Sequence, residues 1–179
     1  MRIEIERAHR DDESEVFHLV EQNHLPLAGL YEHFETAIVA REDGGRIVGT
    51  AALEMYRDGA LLRSVAVALD VQRKGIGHQL TDAALALAHE LRAPAVYLLT
   101  TTAERFFPRF GFEHIARTDV PPGVQTSVEF TSTQIERFVR ASGEGKQAGA
   151  SADGRREEKK GVGDVVTHWV KQLSGNPMW

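Results

Sequence analysis

Val65-Ala66-Val67-Ala68-Leu69-Asp70-Val71-Gln72-Arg73-Lys74-Gly75-Ile76-Gly77-His78 runs from an apolar strand into a glycine-bearing loop that opens a long helix. Gly75 and Gly77 have no Cβ, so the backbone there can approach a ligand closely. The amides of residues 74–78 come at the helix start, where no intrahelical acceptor is available. With the helix dipole they make an anion site suited to a pyrophosphate. Arg73 and Lys74 add positive charge, and Lys74 is the only lysine in residues 1–140. Without a ligand, the same stretch is a glycine-started helix with two solvated basic residues.

Working outward, Ile76, Leu80, Ala84, Leu87 and Leu91 recur at helical spacing until Pro94. Ala95-Val96-Tyr97-Leu98-Leu99 is a continuous apolar run, as in a buried strand. Thr101 and Glu104 have the spacing of a capping box, which predicts a short helix limited by Pro108 and Gly111. Residues 112–116 then read as a strand, and 127–130 as a further one. Upstream, Ile3, Ile5 and Arg7 alternate with Glu4, Glu6 and Ala8 in a first strand. Asp11, Asp12 and Glu13 open a helix whose apolar face is Val16, Leu19 and Val20. Residues 36–57 read as a hairpin turning at Glu42-Asp43-Gly44-Gly45, and Asp58-Gly59 leads into a third strand over 61–67. The order predicts a mixed α/β domain over residues 1–140.

The last 39 residues differ in character, holding 7 of the 16 glycines. Residues 141–161 are Gly, Ser, Ala and charge, which predicts a disordered linker. Val162, Val165, Val166, Trp169, Val170 and Leu173 then form one apolar helical stripe, which predicts an amphipathic helix over 162–174. It would dock on its own domain, on a second copy in a homodimer, or on a partner.

The chain has 179 residues, a net charge of −5 and no cysteine. There is thus no disulfide, thiolate metal site or cysteine nucleophile. The acidic balance argues against nucleic acid or an anionic membrane as a partner. No apolar run reaches the length of a membrane span and the start lacks a signal-peptide segment, so the expectation is a cytoplasmic protein. The eight histidines show no ligand spacing, so no metal is expected.

Gln72-x-x-Gly75-x-Gly77 after Val65-Ala66-Val67 resembles the acetyl-coenzyme A signature of the GCN5-related N-acetyltransferase (GNAT) superfamily. A Walker A loop or a Rossmann loop would need different glycine spacing. Ala103-x3-Phe107-x3-Gly111-Phe112 resembles the superfamily's second signature, and the first strand followed by Ala8-x2-Asp11 resembles its start. Leu61 to Val67 and Tyr97 to Glu104 also have the look of the arsenic-resistance N-acetyltransferase subgroup. The resemblance covers roughly residues 1–130. It implies the GNAT fold: a mixed, mostly antiparallel sheet flanked by helices, with a central strand pair, here 60–68 and 95–100, that splays apart.

The resemblance also implies acetyl-CoA as co-substrate and a small amine as acceptor. Val65, Ala66 and Val67 would pair with the pantetheine arm, and the Val67 amide would donate to the thioester carbonyl. Gln72, Arg73, Lys74, Gly75, Ile76, Gly77 and His78 would hold the pyrophosphate. Thr100 and Phe107 would complete the cofactor set. Relatives usually carry a tyrosine at position 107 as an acid for the leaving thiolate, and Phe107 has no proton to give. Glu54 is the candidate base, acting directly or through water, or a binder of the substrate ammonium; otherwise it is a solvated carboxylate. Arg63, placed by simple alternation on the face of Val65, would bind a substrate carboxylate or pair with Glu54 or Asp58. Tyr56 and Tyr97 read as core or wall. The alternative to an enzyme is a non-catalytic acyl-CoA-binding or interaction module.

Overall fold

The computed structural model describes residues 2–131 and 166–173. The expected linker over 141–161 lies outside the described residues. Seven strands form one sheet: β1 (Ile3–Arg7), β2 (Ala37–Glu42), β3 (Ile47–Tyr56), β4 (Gly59–Val67), β5 (Ala95–Thr100), β6 (Glu113–Ile115) and β7 (Thr167–Gln172). The order across the sheet is β1-β2-β3-β4-β5-β7-β6. Every neighbouring pair is antiparallel except β4 with β5, which is parallel. The helices are α1 (Glu13–Gln22), α2 (Ile76–Glu90) and the single turns α3 (Pro122–Gln125) and α4 (Val128–Thr131). No helix among the described residues is long and apolar enough to cross a membrane.

β2, β3 and β4 form a meander joined by two tight turns. Gly45 takes φ 86° at the β2–β3 turn, a conformation cheap only for glycine. β3 lies in the middle of this meander, and its residues 47–54 are all buried. α2 packs on one sheet face. A Cβ on Gly49 would meet Leu80 at 2.7 Å and Ile76 at 3.1 Å, so the bare glycine is what lets helix and strand approach. The opposite face carries a second apolar cluster of Leu61, Ala95, Tyr97, Val120, Val124 and Phe130.

Three local expectations are corrected. Residues 127–130 form the turn of helix α4, not a strand, with the Phe130 amide donating to the Ser127 carbonyl at 3.0 Å. Thr101 does not cap a helix. Instead Thr100 Oγ1 accepts the amides of Ala103 at 3.0 Å and Thr102 at 3.3 Å, and the helical turn begins only at Phe107–Phe110. The third correction is the largest: residues 167–172 are strand β7, not part of a helix.

β7 fills the slot between β5 and β6, pairing with β5 from Ala95↔Gln172 to Thr100↔Thr167 and with β6 from Glu113↔Val170 to Ile115↔His168. Trp169 is buried in the main core while Val170 packs on the second cluster. A strand covered on both faces loses the period-2 signal, which is why its apolar residues read as a helical stripe. The domain therefore extends past residue 140 to take in β7. Trp169 and Val170, two residues of the stripe offered to a second copy, are spent inside the sheet. Trp169→Ala should destabilise the domain by about 3–5 kcal/mol in denaturant unfolding, the cost of emptying a large core site. A change near zero would mean that β7 is not part of the sheet.

Candidate active site

β4 and β5 pair only at Ala60↔Val96 and Leu61↔Tyr97 and then part, leaving the rest of β4 with an edge free among the described residues. A bulge lies just beyond that point. The β3–β4 register shifts between Thr50 and Ala52, and Ser64 takes φ 54°. Past the bulge the Ala68 amide donates to the Val48 carbonyl at 2.8 Å, so residues 66 and 68 face β3. By alternation the amides and carbonyls of Val65 and Val67 face the gap. Gln72 Nε2 donates to the Val67 carbonyl at 3.1 Å, which ties the loop to this free edge.

The loop uses left-handed backbone at Arg73 (φ 65°) and Gly75 (φ 80°), the latter as the α2 N-cap. The Gln79 amide donates to the Gly75 carbonyl at 3.1 Å. The amides of Ile76, Gly77 and His78 precede that bond and have no acceptor within the helix. Arg46 holds Asp70 through bonds of 2.8 and 2.9 Å, which neutralises the acid nearest Lys74. A Cβ on Gly77 would lie 3.6 Å from Phe106 and 3.8 Å from Val67. The helix start, the end of β4 and Phe106 thus converge on one place. Residues 101–106 line an open hollow of about 330 Å³ beside it.

The bulge corrects the placing of Arg63. Ala52↔Arg63 and Thr50↔Ala66 are opposed pairs, so Arg63 and Ala66 share a face, with Val65 and Val67 on the other. Val67 and Gly49 are opposed, and Gly49 lies under α2. Arg63 therefore sits on the face away from α2. There Arg63 Nη1 donates to Glu54 Oε1 at 2.5 Å and Nη2 to the Pro26 carbonyl at 3.0 Å. Glu129 Oε1 lies 3.3 Å from Nη2. Tyr56 donates its hydroxyl to Glu54 Oε2 at 2.5 Å, and His33 Nε2 is 3.8 Å from the same oxygen. Glu54 is 1% exposed and Arg63 3%. Glu54 is thus neither solvated nor a free base: both its oxygens are taken, and the ion pair is the arrangement adopted. Burial, then the Glu54 hydrogen bond, pushes the Tyr56 phenol well up. Burial pushes the Glu129 carboxyl up to about 7, although the Arg63 guanidinium opposes it.

Residues 32–114 match the family described as acetyltransferase (GNAT) domain. Over that stretch the chain is similar to GNAT acetyltransferase domains. It is 37% identical over 105 residues to an amino-acid acetyltransferase from Mycobacterium tuberculosis, a match covering 57% of this chain and 58% of that relative. The fold is similar to N-acetylglutamate synthase from Neisseria gonorrhoeae complexed with coenzyme A and N-acetyl-glutamate. There the TM-score is 0.67 at 18% identity, over 98% of this chain and 36% of the other. It is also similar to Rv2747 from Mycobacterium tuberculosis in complex with CoA and NLQ. That match has a TM-score of 0.69 at 24% identity, over 96% and 99% of the two chains. This chain therefore spans just over half the curated relative and about a third of the synthase. The seven-stranded, mostly antiparallel sheet flanked by helices is the GNAT fold.

Within this fold the structure gathers Val65, Val67, Gln72 and residues 73–78 around the gap, while Ala66 turns its backbone to β3. Thr100 spends its hydroxyl on the following turn and its carbonyl on Thr167. Phe107 is 6% exposed and packs edge-on between Phe106 and Phe112 in the core. Phe106 is the ring at the convergence and was missed. In a 3-10 turn adjacent residues face very different ways, and the sequence does not say which faces out. His78 lies against Phe106 and Phe110. Tyr56 could have been found, since it is two residues from Glu54 on the same strand face. Glu129 carried no local signal. Among the described residues no group of three or more His, Asp or Glu could hold a metal ion.

Glu129 gives a pH signature. Its folded-state pKa is raised, from 4.5 to about 7, so the fold favours the protonated form and stability falls as pH rises between those values. The wild type should lose about 3 kcal/mol relative to Glu129→Gln across that window, read by denaturant unfolding. A difference flat with pH would show that Glu129 titrates as an ordinary carboxylate.

Proposed function

We propose that the chain transfers an acetyl group from acetyl-CoA to the primary amine of a small amino-acid-like substrate by direct attack. The observation that carries this reading is the free edge of β4 at Val65 and Val67, opening beside the bare-amide start of α2. Acetyl-CoA supplies the activated acyl group. Val65 and Val67 offer backbone groups to an extended pantetheine arm, as an added strand would. The Val67 amide is the candidate donor to the thioester oxygen. Residues 74–78, with Arg73, suit the pyrophosphate. The chain has no cysteine, so no acetyl-cysteine intermediate forms.

An alkyl ammonium has a pKa of about 10.4 and must lose a proton before attack. Glu54 is held by Arg63 and Tyr56, so water takes the proton and Glu54 keeps Arg63 in place. A thiol pKa of about 8.5 makes the thiolate a tolerable leaving group without an acid at position 107. An amino-acid acceptor is supported by the Mycobacterium relative and by the synthase, whose structure holds N-acetyl-glutamate. The arsenic-resistance subgroup has only its sequence look in support.

A second reading is favoured by Phe107 and by the locked Glu54: a domain that binds acyl-CoA without turnover. Thiol release from acetyl-CoA with a panel of L-amino acids separates the two. Release that depends on one of these amines is expected; tight coenzyme A binding with no release on any amine would sink the enzyme reading. Phe107→Tyr should leave the rate within about tenfold, because a buried hydroxyl there adds no needed acid. A gain of several hundredfold would show that the missing acid limits the wild type.

A further inference from the structure

One buried carboxylate has no part in the transfer itself. Glu129 sits on α4, and its carboxylate lies against the fully buried Arg63 side chain. We infer that Glu129 is an internal occupant of the acceptor's carboxylate site, displaced from Arg63 when an amine bearing a carboxylate binds, and so a determinant of acceptor specificity. This rests on the acetyltransferase reading above.

The two carboxylates on Arg63 are not equivalent. Glu54 belongs to the buried strand β3 and is fixed by two bonds of 2.5 Å, from Arg63 and Tyr56. Glu129 meets Arg63 once, at 3.3 Å. Its helix lies at the surface at Val128, which is exposed. α4 is anchored through its backbone, by Arg117 donating to the Phe130 carbonyl at 2.7 Å and by Ser127. Val128 closes against Gly29, whose missing Cβ also gives Arg63 Nη1 its room. The fixed pair is therefore part of the sheet, and the looser carboxylate is carried by α4, outside the sheet.

Charge counting gives the same assignment. One buried guanidinium neutralises one carboxylate, and Glu54 fills that role. Glu129 is surplus charge, consistent with its raised carboxyl pKa. A third carboxylate could not be added to the same buried guanidinium without a large desolvation cost. Exchange with Glu129 keeps the count unchanged. Position agrees as well. Arg63 stands two residues past Leu61, where β4 leaves β5, on the face away from α2. An acceptor approaching the gap from that face meets α4 and Arg63 together.

The test uses L-glutamate and L-glutaminamide, in which both carboxylates are replaced by amides. Glu129→Gln should raise the preference for L-glutamate over L-glutaminamide by about tenfold in KM, the scale of one charge-assisted contact. Glu129→Ala should move it the same way. Calorimetry of L-glutamate binding to the coenzyme A complex needs no turnover and should show tighter binding in both variants. An unchanged preference, a parallel shift of both acceptors, or weaker L-glutamate binding would overturn the exchange. Wild-type protein that releases no thiol with any amine, yet binds L-glutamate more tightly after Glu129→Gln, would instead overturn the acetyltransferase reading and leave the exchange standing.

Discussion

The bulge at Arg63 and Ser64 is the constraint on which the working part of the molecule depends. Ser64 is held at φ 54°, a conformation that costs a non-glycine residue on the order of 1 kcal/mol. A bulge adds a residue to one strand, bends it and resets its alternation. Here the bend comes just where β4 stops pairing with β5, so the edge at Val65 and Val67 is left open. The reset also puts Arg63 on one face and the valines on the other. One irregularity thus separates a face that meets the glycine loop from a face that carries buried charge. A regular strand would have put Arg63 beside Val65 and run paired to its end.

The buried charge cluster makes sense in that setting. Breaking a buried ion pair leaves an uncompensated charge, whereas the intact pair adds little net stability. The group formed by Arg63, Glu54, Tyr56 and Glu129 is therefore poorly explained as a stabilising device. It lies just past the point where β4 leaves β5, and draws its residues from β3, β4 and α4. A costly arrangement at that place is what a site for a polar acceptor would require.

The sequence spoke clearly where the chemistry is local. Gly75 is read from one letter, because a left-handed cap admits few other residues. The strand-turn rhythm of residues 37–67 follows from Gly45 and Gly59 and from apolar runs between them. It spoke poorly where the answer depends on distant partners. Trp169 and Val170 look helical because both faces of β7 are covered by elements far away in the chain. The alternation argument for Arg63 failed at a bulge that no residue type announces. Phe107 matched a motif position, yet its neighbour Phe106 faces the cleft. Glu129 becomes meaningful only once folding brings it to Arg63.

The central place of β7 has a consequence for how the domain is made. Most of the sheet is assembled from neighbours in sequence, but the Thr100–Thr167 contact spans 67 residues. Until that late segment is available, β5 keeps an unpaired edge and β6 has no strand to join. Contacts so distant in sequence close slowly, and open strand edges invite pairing with other chains. During synthesis the first four strands and α2 can settle while the second half of the sheet waits. The stretch from β5 to β6 is then the part that most needs protection from aggregation, and insertion of Trp169 is the step that ends its exposure.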